Sequence, residues 1–131
     1  EDGIEIVDAA TLLSAEPNQI KKFINDFLSE NKIESKEIDT LMLGYNGDVS
    51  NREMYDYAKD ALFPESNVFT FKELFGEHPS VISMGFWYAT MLQKGMSPYR
   101  EPLRDANKKI DTVLIFNQYN RNENSLVLIK K

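Results

Sequence analysis

Apolar residues recur from Pro17 onward at Ile20, Phe23, Ile24, Phe27 and Leu28, the i, i+3, i+4, i+7, i+8 spacing of one helix face, with Lys, Asn and Asp opposite. Pro17 suits the first turn of that helix, where a missing N–H costs nothing. Asp39-Thr40-Leu41-Met42-Leu43 is a short apolar run ending at Gly44, the pattern of a buried strand, followed by a turn at Tyr45-Asn46-Gly47-Asp48. Ser50 and Glu53 have capping-box spacing for a second helix, whose predicted stripe is Met54, Tyr57, Ala58, Ala61 and Leu62. Pro64 and Asn67 end it, and Val68 to Phe71 reads as a second strand. Gly3 to Ala10 fits either a short strand or an extended lead-in.

Pro79 to Gln93 carries no charge and is apolar on nearly every side, so the pattern predicts a core helix covered on nearly every side, with Trp87 buried. It is too short for a bilayer span, which needs about 17–25 residues. Gly95 to Lys109 is a polar loop containing Pro98 and Pro102. Thr112 to Phe116 and Ser125 to Ile129 are two closing strands, with the polar stretch Asn117 to Asn124 as the hairpin loop between them. Strands separated by helices require crossover connections. The expectation is therefore an α/β domain, residues 1–131, with a mainly parallel sheet of about four or five strands, a buried helix and a carboxyl-terminal antiparallel strand pair.

Charge and composition narrow the function. The net charge is -6 and no basic stripe is present, which argues against nucleic acid and against an anionic membrane surface. There are no cysteines, so disulfides, thiolate metal sites and a cysteine nucleophile are excluded within the chain. A single histidine, His78, rules out an all-histidine metal site and disfavours a Ser–His triad. No metal or cofactor is implied. The acidic start, with no basic region followed by an apolar stretch, shows no secretory signal, and a cytoplasmic location is the expectation.

Three segments carry a resemblance. Gly44-Tyr45-Asn46-Gly47-Asp48 follows the first strand, Lys72-Glu73-Leu74-Phe75-Gly76-Glu77 precedes the apolar helix, and the asparagine-rich Asn117 to Asn124 precedes the last strand. In order and spacing, over residues 17–129, the chain resembles the carboxyl half of the β-ketoacyl synthases, whose signatures there are His-Gly-Thr-Gly-Thr, Lys-x-x-x-Gly-His and an asparagine- and glycine-rich loop. The resemblance implies a thiolase-like half-fold, a missing amino half, and substrates held as thioesters on an acyl carrier protein in fatty-acid or polyketide-type synthesis. It nominates Lys72, Glu77 and His78 for catalysis and Gly44, Asn46, Asp48 and Asn117 for substrate contact.

The departures are chemical. In the family, a cysteine of the other half attacks the thioester and two histidines stabilise the enolate oxygen. Here Gly44 stands at the first histidine position, with no side-chain donor, and Glu77 at the second, where a carboxylate would repel an oxyanion. His78 comes one residue late, about 100° around a helical turn. The closing loop has no glycine, and only Lys72 matches in type and spacing. Plainer roles also fit: His78 and Glu77 as helix-start residues, Asp48 and Ser50 as turn and cap residues, Lys72 as a solvated lysine. The expected function is the carboxyl domain of a ketosynthase-like protein with degenerate catalytic motifs. The alternatives are a non-catalytic, chain-length-factor-like subunit or a stand-alone interaction domain. Expected partners are the acyl carrier protein or an acyl thioester, and the amino half or a partner synthase subunit. Uncovered, the apolar helix should drive homo- or hetero-oligomer formation.

Overall fold

A computed structural model describes residues 3–47, 49–72, 81–106, 109–120 and 122–131 (the side chains of Ser50 and Asn51 excepted). The elements are β1 (Glu5–Leu13), α1 (Pro17–Glu30), β2 (Thr40–Leu43), α2 (Val49–Asp56), β3 (Asn67–Thr70), α3 (Val81–Gln93), β4 (Thr112–Tyr119) and β5 (Glu123–Lys130). Beyond Asp56, α2 continues as a π-helical stretch, Tyr57–Leu62, closed by the Phe63 N–H donating to the Ala58 carbonyl. The capping-box role of Ser50 falls on a side chain outside the described residues.

The five strands form one sheet in the order β1-β5-β4-β2-β3. Pairings β4–β2 and β2–β3 are parallel, while β1–β5 and β5–β4 are antiparallel. The sheet is thus mixed rather than mainly parallel. The amino-terminal segment, open between strand and lead-in on its own pattern, becomes an edge strand beside β5, which already runs backward through its hairpin. That pairing joins Leu13 to Glu123, far apart in the chain, and no local pattern signals it. The hairpin is also tighter than the polar composition suggests: β4 runs to Tyr119, so Asn117 and Gln118 are buried strand residues rather than loop. The turn is made at Asn120, with φ of 53°.

Helices cover both faces. Ile20, Ile24, Phe27 and Leu28 of α1 pack with Met54, Tyr55 and Ala58 of α2 on Leu41, Leu43, Leu114 and Phe116. The predicted α1 stripe is therefore the buried one, with Phe23 half-buried at its margin. On α2 the stripe fails at Ala61, which is exposed, because i→i+5 bonding changes the turn angle and a 3.6-residue face no longer tracks the sheet. On the other face Val81, Tyr88, Ala89 and Leu92 of α3 pack against Met42, Phe69, Phe71, Val113 and Ile115. Gly85 permits close approach: a β-carbon there would lie 3.2–3.3 Å from the Phe71 ring.

The helix α3 is not sandwiched. Its sheet side is buried, but Met84 and Trp87 on the outer side are 42% and 40% exposed, and Trp87 stacks on Tyr99 at 6.2 Å. Only one layer of the described residues lies against it, so its all-round apolarity exceeds the cover available. No helix among the described residues is long and apolar enough to cross a membrane.

Both sheet edges are dressed. At β3, the Val68 N–H donates to the Arg104 carbonyl and the Leu103 N–H to the Val68 carbonyl, each at 2.8 Å. The Arg104 guanidinium holds this segment by donating to the carbonyls of Ser66 (2.9 Å), Lys59 (2.8 Å) and Phe63. At β1, the Asp8 carboxylate accepts from the Ala9 N–H at 2.8 Å and from the Asn31 amide at 2.9 Å, which blunts an edge that could template another strand.

Two outcomes follow. Trp87, the only tryptophan, should emit as a partly hydrated indole and be quenched readily by acrylamide in the native chain. Blue-shifted, weakly quenched emission would mean that the outer side of α3 is covered in solution. Arg104→Met should cost about 2–3 kcal/mol in urea denaturation, because three carbonyls lose a charged donor. Arg104→Lys should recover little of it, since an ammonium cannot reproduce the guanidinium fork.

Candidate functional site

In a sheet with parallel strands, loops leaving the carboxyl ends of neighbouring strands open into a common crevice. Here β3 leads to Phe71 and Lys72, β2 to Gly44, and β4 passes through Asn117. The ladder extends one step beyond β2, with the Gly44 N–H donating to the Phe116 carbonyl at 3.1 Å. Three segments far apart in sequence are thereby delivered to one place.

Space around Gly44 measures how closely they meet. A β-carbon on Gly44 would lie 2.2 Å from Asn117 Oδ1, 3.0 Å from the Tyr55 hydroxyl and 3.1 Å from Lys72 Cε. Lys72 is 3% exposed and its amine donates to the Gln118 carbonyl at 2.8 Å. A lysine taken from water needs such a partner, so the solvated-lysine role does not describe it. Tyr55 is fully buried and its hydroxyl accepts the Gln118 N–H at 2.8 Å. The main chain of Gln118 is therefore held at both its N–H and its C=O, which fixes β4 just where it passes Gly44.

Aromatic packing sets Tyr55 in place. Its ring meets Tyr45 at 4.9 Å and Phe116 edge-on at 5.2 Å. The Tyr45 hydroxyl donates to the Asp56 carboxylate in a short hydrogen bond. Burial, then that hydrogen bond and the negative charge of Asp56, push the Tyr45 phenol well above its ordinary value of 10.0.

The nominated residues separate. Gly44, Lys72 and Asn117 are brought together. Asn46 is exposed, in the turn beside Gly47 (φ 85°), two residues past the cluster. Asp48, Glu77 and His78 lie outside the described residues. Tyr55 is the member that sequence reasoning missed. It lies one position off the apolar stripe, and only its proximity to a strand more than sixty residues downstream distinguishes it from other tyrosines. Asn124, in the asparagine-rich segment, is structural: its amide donates to the carbonyls of Leu12 (3.0 Å) and Ser14 (2.9 Å) and so ties β1 to the hairpin. Among the described residues no group of three His, Cys, Asp or Glu side chains is arranged to hold a metal ion.

No family model and no curated protein matches the chain in sequence. In three dimensions it is similar to a solved structure described as PfaC keto synthase–chain length factor, with a TM-score of 0.76 over 98% of this chain at 11% identity. The chain spans 13% of that neighbour's length. At this identity the likeness concerns the fold, and it supports a thiolase-like, ketosynthase-like arrangement of these elements.

The Tyr45 phenol gives a pH dependence of definite sign. A group whose folded pKa is raised binds more protons in the native than in the unfolded chain, so its stabilisation is complete below pH 10 and is lost as the pH climbs beyond it. Urea denaturation between about pH 8 and 11 should show stability falling at the alkaline end, with a shallower fall in Tyr45→Phe. An equal slope in the variant would assign the alkaline loss to other groups.

Proposed function

We propose that the chain is the carboxyl-terminal domain of a β-ketoacyl-acyl-carrier-protein synthase-like protein of fatty-acid or polyketide-type biosynthesis, with its catalytic positions vacated. The observation that carries this reading is the meeting of Gly44, Lys72 and Asn117 around one point. They come from the three segments whose order and spacing resemble the synthase signatures, and they gather at the carboxyl ends of parallel strands in a ketosynthase-like fold. Substrate would arrive as an acyl thioester on a carrier protein. The amino half, or a partner synthase subunit, would lie over the outer side of α3 at Met84 and Trp87.

Chemistry separates an active synthase domain from this one. Decarboxylative condensation needs a thiolate to carry the acyl group and donors aimed at the enolate oxygen. The chain has no cysteine, Gly44 offers no donor, and the Lys72 amine is engaged by the Gln118 carbonyl inside the fold. In this reading Lys72 is a positioning residue for β4. The filled space at Gly44 favours a second form of the same reading, a non-catalytic partner similar to a chain length factor.

Purified chain incubated with malonyl-acyl-carrier protein should release carbon dioxide at the rate of the no-protein control. Loss of even one oxyanion donor typically costs about 10²–10³ in rate, and here nucleophile and donors are both missing. Turnover that Glu77→Gln or His78→Ala abolishes would sink the reading and assign those residues to an active site of another kind.

A further inference from the structure

Glycine at position 44 is not demanded by the backbone. Among the described residues the left-handed glycines are Gly3, Gly47 and Gly95, and Gly44 is not one of them. A side chain is therefore conformationally allowed at 44, and the main obstacle to it is Asn117, whose Oδ1 lies 2.2 Å from where the β-carbon would be, with the Tyr55 hydroxyl at 3.0 Å and Lys72 Cε at 3.1 Å adding lesser crowding. No van der Waals contact is that short. Asn117 is 4% exposed, yet its Oδ1 has no hydrogen-bond partner. A buried acceptor left unpaired costs about 1–3 kcal/mol, so hydrogen bonding does not explain why the amide oxygen sits there. Shape does: it fills the gap over Gly44, with the Tyr55 hydroxyl and the Lys72 side chain as the neighbouring walls.

We infer that the Asn117 side chain is a plug that closes the floor of the proposed site, and that residue 44 is glycine because the plug occupies its side-chain space. This deepens the ketosynthase-like reading and rests on it. A side chain at 44 therefore requires the Asn117 side chain to move, so the missing donor and the filled space are linked. With Asn117 absent or swung aside, a group in the space it vacates would meet the Tyr55 hydroxyl and the Lys72 side chain.

The absence of cysteine makes the test direct, because Gly44→Cys introduces the only thiol. Folding equilibria from urea denaturation are measured for the original chain, G44C, N117A and G44C/N117A, and the native double variant is treated with iodoacetamide and weighed by mass spectrometry. G44C should lower the folding constant far more when Asn117 is present than when it is Ala, a coupling of at least about tenfold, within the range for residues in contact. The introduced thiol should be alkylated in the folded double variant. Effects that simply multiply, or a thiol that stays unreactive in the folded double variant, would overturn the plug. If circular dichroism shows G44C/N117A unfolded, the smaller pair G44A/N117G carries the same cycle. The cycle reads the two residues alone, so its failure is distinguishable from a positive decarboxylation assay, which would strike at the ketosynthase-like reading itself.

Discussion

Every residue of β2 is without solvent exposure, and much of the rest of the fold is what that burial requires. Four residues, Thr40 to Leu43, carry backbone N–H and C=O groups that must be paired on both edges, since unpaired buried groups are costly. Parallel partners on both sides demand crossovers, and the crossovers supply the helices. Two of them, α1 and α2, lie over one face, and α3 lies over the other. At the amino end of β2 the Asp39 carboxylate accepts from the main-chain N–H groups of Asp111 and Thr112, which pins β4 in register with it.

That register decides the site. Because Leu43 is paired with Phe116, the next residues on the two strands, Gly44 and Asn117, come side by side. The two ties on Gln118, one from Tyr55 and one from Lys72, then hold β4 on the side where the β2 ladder has ended, while β5 continues to pair with its other edge. A buried lysine amine and a buried phenol serve here as main-chain partners. In this chain the Tyr55 hydroxyl and the Lys72 amine are turned inward, toward β4, and the unpaired Asn117 Oδ1 fills the space over Gly44.

The helix α3 carries the second consequence. Its composition is apolar on all sides, as for an element between two layers, yet the described residues supply one layer. Trp87 and Tyr99 stack on each other and so hide part of the uncovered side, an arrangement that reduces the exposed apolar area without removing it. A partner layer over this side would complete the burial that the composition anticipates.

The sequence by itself determined the elements whose signal is local. The α1 stripe at Ile20, Ile24, Phe27 and Leu28, the runs of β2 and β3, and the closing hairpin of β4 and β5 are all present, because periods of 3.6 and 2 are written in neighbouring residues. It also nominated Gly44, Lys72 and Asn117, through motif order rather than through any contact it could reveal. Tertiary structure alone decided the mixed sheet, since β1 pairs with β5 across more than a hundred residues and alternation does not name a partner. It decided that Lys72 is buried and that Trp87 is half-open, because burial depends on how many layers cover a residue and not on its type. It brought in Tyr55, and it put the Asn117 amide on Gly44. Those last facts are distances between side chains on different elements, set by strand register and packing, which no pattern along the chain records.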